Sequence, residues 1–371
     1  MGQKSRCRPD QRGEPQRAVP ARVADEGCAG VATGLQLFIK EETGMTKDAT
    51  VIVEALPTAQ SMIAALEISP RWAPDTAWSS PWVFRGQRDA TWGLMPAAWR
   101  NDNTIQIQRL ARLRQGFAEQ FESHIREQLE RNPNMNEANA EFVVKSYSQA
   151  RAEFALILEF IRLADELGHS VPGMDTYLRL ASHDYLPDIR NFPHVRLLPE
   201  MNPAAALAQH HGIPTRSMDW TRNPLYAAYF AASEVNPTAS DGNIAIWAIR
   251  PDHLRTQGAA EHHNTGYTRF TAHTVPNSDN RYLHSQEGLF IHPVYGCAYC
   301  ARTGEFASLE AFAVATEREL SMPTIQKLTL PYSEVGELLR LLWLKGVSRA
   351  HLMPTLDNVT KALCSRWQWA S

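Results

Sequence analysis

The chain has 371 residues, 44% of them hydrophobic and 21% charged, a balance that excludes wholesale disorder and allows a sizeable core. Its formal net charge of −3 excludes a generally basic nucleic-acid binder, though not a local basic groove. Five cysteines, an odd number in so long a chain, do not make a disulfide scaffold and point to reduced thiols in a cytoplasmic protein. No apolar run reaches the roughly 18 residues of a membrane span.

Residues 1–45 are rich in Arg, Pro, Gly and Gln without a sustained apolar period, so a disordered, solvated tail is expected, with nucleic-acid contact as the alternative use of its basic residues. Met45 is a candidate start, because the first strand-like run, Thr50–Leu56, follows it directly. Residues 46–371 read as one domain. A short helix over Ser61–Glu67 is followed by a strand, Pro81 to Gln87, that runs through Arg85 into a glycine turn. Leu110, Leu113, Phe117, Phe121, Ile125 and Leu129, spaced by three or four, predict an amphipathic helix over Thr104–Glu130. Phe142 through Leu167 repeats the pattern and ends at Gly168, and Asp175–Ala181 adds a third piece. This helical insertion, residues 104–190, is expected to pack as an antiparallel hairpin, with a partner-binding face as the alternative.

The stretch Gln209–Ala232 is the densest in chemistry. Asn202-Pro203 starts a helix through Ala204–His211 that Gly212 ends, and Asn223-Pro224 starts another through Leu225–Ser233. Between them a rigid loop carries Thr215, Arg216, Ser217, Asp219, Trp220, Thr221 and Arg222, with His210 and His211 at its entrance. Strands are expected over Asn243–Ile249, apolar on both faces, and over Gly266–Val275 and Ile325–Leu330, with a turn leading into a further strand over Gln286–Pro293, before final helices over Ser333–Lys345 and Asp357–Leu363. The order of elements gives an α+β fold: a mixed or antiparallel sheet core with flanking helices and a helical insertion.

No nucleophile elbow, Walker loop or dinucleotide fingerprint is present. The one Cys-x-x-Cys, Cys297 and Cys300, with His292 falls short of a closed four-ligand zinc set, and the adjacent pairs His210-His211 and His262-His263 point about 100° apart on a helix, so no metal is expected. What remains is Arg85, Arg216 and Arg222 around Asp219, with Gln286-Glu287 before a strand. Guanidinium forks suit a phosphate-bearing, nucleotide-like ligand; a buried Arg–Asp network that fixes the loop is the structural alternative.

Phe84-Arg85-Gly86 with Trp92, Leu94-Met95-Pro96 and Arg100, then Gln209 to Arg216 and Asp219 to Ala231, then Asn280-Arg281 with Gln286 to Phe290, and Gly346 to Pro354 with Leu356-Asp357, resemble the motifs of the FRG domain family over roughly Trp82 to Leu363. Ser217-Met218 stands where two leucines are usual, and Glu287 where a second glutamine is common. The order aromatic-Arg-Gly, Thr-bearing motif, Gln/Glu before a late strand is similar to that of ADP-ribosyltransferases. That similarity implies NAD as substrate, with Arg85 on its pyrophosphate or ribose, Asp219 to Thr221 beside the nicotinamide ribose, and Gln286 or Glu287 as the catalytic 2′-hydroxyl contact. Gln209, His210, His211, Thr215, Arg216, Trp220, Thr221 and Arg222 complete the implied ligand contacts. It further implies a transferase or glycohydrolase of toxin or phage-defence type acting on a protein or nucleic-acid acceptor; the lack of a long apolar run separately gives the expectation of no membrane partner. A non-catalytic nucleotide- or nucleic-acid-binding module is the rival.

Overall fold

The computed structural model describes residues 51–67, 71–73, 79–131, 139–181, 203–236, 238–239, 241–254, 270–276, 281–293, 296–306 and 308–369. The expected tail, Thr50, the cap residue Asn202, the His262-His263 pair and residues 266–269 of one expected strand lie outside them.

Helix starts follow capping chemistry. Thr58 forms a capping box with Ser61 ahead of Ala59–Leu66, Thr104 accepts from the Ile107 amide ahead of Ile105–Glu130, and Asn223 accepts from the Leu225 amide ahead of Pro224–Ser233. Gly168 and Gly212 take positive φ, 78° and 89°, where Ala140–Glu166 and Pro203–His210 end. The long helices Ile105–Glu130 and Ala140–Glu166 pack antiparallel: Phe121, Ile125 and Leu129 meet Val143, Val144 and Tyr147, while Leu110 meets Ala152 and Leu156. No helix among the described residues is long and apolar enough to cross a membrane.

Seven strands form one mixed sheet in the order β1-β7-β4-β2-β3-β6-β5: β1 (Val53–Ala55), β2 (Val83–Gln87), β3 (Met218–Thr221), β4 (Asn243–Ile249), β5 (Phe270–His273), β6 (Gly288–Pro293) and β7 (Ile325–Pro331). Only the β1–β7 pair is parallel. With helices on both faces of this sheet the protein is of the α+β class. Phe84, Ile244, Ile246, Ala248, Leu328 and Leu330 face the helices Ala59–Leu66, Pro224–Ser233 and Val335–Leu344. Val83, Trp220, Trp247, Leu289 and Ile291 face the helix Leu309–Leu320 through Leu309, Phe312 and Ala313. The interior place of β4 explains why its sequence is apolar on both faces.

Two findings differ from the sequence reading. The loop expected between the helices of the Gln209 stretch contains β3, an interior strand whose Met218 and Trp220 are buried while Asp219 is exposed. Four residues with a charge among them carry a period of two too briefly to stand out beside helix signals. The helices Arg281–Ser285, Gly296–Thr303, Leu309–Leu320 and Arg349–Leu352 were not expected, and the last helix runs over Leu356–Trp369, beyond Asp357–Leu363. Leu309, Phe312, Ala313 and Thr316 do show a helical stripe, but small and polar members weaken it.

Candidate functional site

The three motif segments lie on neighbouring strands, β2, β3 and β6, in one row: Phe84 pairs with Thr221, and Thr221 with Gly288. The row exists because helix Pro224–Ser233 lies directly on β2 at Gly86. A Cβ there would stand 1.9 Å from the Ala227 carbonyl oxygen and 2.7 Å from the Ala231 nitrogen, so glycine is required by contact with a helix backbone of small residues. Beside it, buried Gln87 accepts from the Trp247 indole at 2.7 Å and donates to the Gly93 carbonyl at 3.1 Å, fixing the end of β2.

Phe84–Thr221 is the single paired position between β2 and β3. Next to it, Arg85 donates from Nη1 to the Asp219 carbonyl at 2.6 Å, while its buried Nε has no partner among the described residues. Burial lowers the Arg85 pKa; the Asp219 charge opposes this and the Arg100 charge reinforces it. Arg100, whose Nε donates to the Met95 carbonyl at 2.9 Å, is likewise lowered by burial, against Asp102 and Asp219. Gln209 Nε2 donates to Asp219 Oδ1 at 2.7 Å, and its Oε1 accepts from Thr215 Oγ1. His210 lies in the same field: burial and then His211 lower its pKa, against Asp219. Arg85, Arg100, Gln209, His210, Thr215 and Asp219 therefore form one electrostatically connected cluster.

Arg216 stands apart from Asp219. Its Nε donates to Glu153 Oε2 at 2.7 Å and its Nη1 to Cys297 Sγ at 3.2 Å, with side chains 7% and 1% exposed for Arg216 and Glu153. Burial acts against its charge, but Cys297 and Glu153 together raise its pKa above the ordinary value. Glu153 Oε1 also accepts from Trp99 and Gln149, both at 3.0 Å. Ser217 Oγ meets His292 Nδ1 at 2.9 Å, and burial, then Arg216 and His273, push the His292 pKa well down. Burial and the neighbouring Cys297 push the Cys300 thiol up to about 12. His211 is exposed and stacks on Phe160, centroids 6.1 Å apart, and Trp220 is buried in the core with no partner for Nε1 among the described residues.

At the other end of β3, Thr221 Oγ1 donates to the Gln286 carbonyl at 2.7 Å and the Arg222 amide to the Glu287 carbonyl at 3.0 Å, leaving the Arg222 side chain exposed. Gln286 Nε2 reaches the Leu352 carbonyl at 3.5 Å, where Ser285 Oγ also donates at 2.8 Å. Glu287 is exposed, accepts from Asn223 Nδ2 at 3.2 Å, and holds a left-handed φ of 48°. Its charge raises the Tyr226 pKa, after burial. The candidate residues thus fall into an Arg85–Asp219 cluster, a Thr221–Glu287 cluster and a buried Arg216 network.

The sequence reading missed Glu153. Its signal is Gln149 and Glu153 one turn apart among the mostly apolar buried residues of this helix. In the sequence Arg100 shows only as part of a motif, Asn223 only as a helix cap and Tyr226 only as a helix residue.

A sheet that aligns an arginine strand, an acidic–aromatic strand and a carboxylate turn defines an α+β protein with its polar motifs gathered on three adjacent strands. Residues 148–240 match the model of the FRG domain family. The match spans the Glu153–Arg216 pair, β3 and helix Pro224–Ser233, while Arg85 and Gln286-Glu287 lie outside it. No curated protein and no solved structure matches the chain.

Proposed function

We propose that this FRG domain protein consumes NAD, as an ADP-ribosyltransferase-like enzyme or NAD glycohydrolase of toxin or phage-defence type. The observation that carries the reading is Glu287. A turn residue at positive φ is usually Gly or Asn, and a glutamate there carries backbone strain that its side chain must justify. An exposed carboxylate whose one side-chain hydrogen bond among the described residues comes from Asn223 suits stabilisation of positive charge on a ribose.

Spacing supports a dinucleotide rather than a smaller ligand. Arg85 and Glu287 lie on opposite sides of the Phe84–Thr221–Gly288 row, so two inter-strand gaps and a two-residue offset separate their Cα atoms by roughly 12 Å. In this reading Arg85 and Arg100 hold the pyrophosphate, Asp219 with Gln209 lines the ribose, and Glu287 rather than Gln286 faces the scissile bond, because the Gln286 amide is directed to Leu352. The C1′–N bond breaks with its electron pair leaving on nicotinamide. Water or an acceptor nucleophile then bonds to C1′ and releases a proton to solvent.

Incubation with NAD, alone and with protein or nucleic-acid acceptors, tests this by nicotinamide release. Release that Glu287→Gln lowers at least a hundredfold is expected; none under any condition overturns the proposal. The mutually repelling Arg85 and Arg100 favour one second reading, a non-catalytic nucleotide- or nucleic-acid-binding module. Thermal stabilisation by NAD without turnover would select it.

A further inference from the structure

Between helices Val335–Leu344 and Leu356–Trp369 lies a cavity of about 330 Å³ whose wall includes none of Arg85, Asp219 and Glu287. That volume is at the small end of ligand sites, which run from roughly 300 to 1,000 Å³, so it suits a mononucleotide and not a dinucleotide.

Its wall combines two chemistries. Trp343 and Trp369 supply flat aromatic surface, and Arg340, Arg349 and Arg366 supply guanidinium groups, with no carboxylate among the lining residues. Arg340 is neutralised by Glu337, at 2.6 and 2.8 Å. The other two have no carboxylate partner among the described residues. Arg349 donates Nε to the neutral Asn358 Oδ1 at 2.9 Å, and Arg366 stacks its Cζ 5.5 Å from the Trp343 ring centroid. Two cations without an acidic partner in the wall, beside indole surface in a cavity, match an oxyanion carried on an aromatic body.

We propose that this cavity binds a nucleoside monophosphate, the base against the Trp343 and Trp369 indoles and the phosphate between Arg349 and Arg366. The site is separate from the proposed NAD site and does not depend on it. Calorimetric titration of the full chain with AMP, adenosine and inorganic phosphate tests it, with thermal melting to verify each variant's fold. Saturable AMP binding is expected, with adenosine and inorganic phosphate each at least tenfold weaker. Arg366→Gln should weaken AMP at least tenfold, Arg366→Lys less, and Arg85→Ala not at all. Absence of AMP binding, adenosine or phosphate binding as tightly as AMP, an affinity unchanged in Arg366→Gln, or an affinity lost in Arg85→Ala would each overturn the assignment.

Discussion

Replacing Glu287 by glycine and, separately, by alanine separates the strain of the turn from the chemistry of the carboxylate. At φ 48° a residue with a Cβ is disfavoured by about 1–2 kcal/mol, and glycine is not. Both variants lose the 3.2 Å contact with Asn223, an exposed bond worth at most about 1 kcal/mol, so that loss cancels between them. Glycine's greater unfolded-state freedom returns about 0.4–1 kcal/mol to the alanine variant. The expected result is a Glu287→Gly protein more stable than Glu287→Ala by about 1 kcal/mol, read from urea midpoints at equal slopes. Nicotinamide release should be abolished in both. A glycine variant no more stable than the alanine one would refute the strain argument, and a glycine variant that still cleaves NAD would refute the catalytic role.

Glu153→Ala leaves Arg216 buried without its carboxylate and should cost about 3–5 kcal/mol in chemical denaturation; a loss under 1 kcal/mol would show that Cys297 and Trp99 suffice. Gly86→Ala drives a Cβ into the Ala227 carbonyl, so a loss of more than about 2 kcal/mol and a shift of the Arg85 backbone are expected in melting and amide spectra. The depressed His292 pKa means that the unfolded chain takes up a proton the folded one refuses. The His292 contribution is therefore intact above pH 6.5 and lost as pH falls from there through the folded value. Stability measured from pH 8 to 5 should fall more shallowly in His292→Gln than in the unsubstituted protein, and equal slopes would exclude His292 as the cause.

What the sequence disclosed depended on how far each signal repeats. The long helices of residues 105–166 recur in apolar spacing over more than seven turns, and Thr104 and Gly168 mark where the first begins and the second ends, whereas the Asn139 cap of the second showed only in the structure. β4 was legible as a wholly apolar run, whereas β3 has four residues, too few for alternation to outweigh the charges beside it. At the candidate site, residue types were visible but pairings were not. Arg216 and Asp219 are three residues apart, yet the ion pair forms with Glu153, 63 positions earlier, because helix Ala140–Glu166 brings its polar stripe to the loop. The turn before β6 was legible from Gln286-Glu287-Gly288, but its left-handed residue was not, since the glycine beside it is the usual occupant and Glu287 takes the positive φ instead.

The single register pair between β2 and β3 divides the sheet into a four-stranded and a three-stranded ladder, fastened at Phe84–Thr221 and, one residue on, by the Arg85 guanidinium on the Asp219 carbonyl. Arg85 is thus a rivet across a seam. An anion that drew its Nη1 away from that carbonyl would be bound at the expense of the joint, and backbone amides flanking Asp219 would exchange faster in the complex than in the free protein.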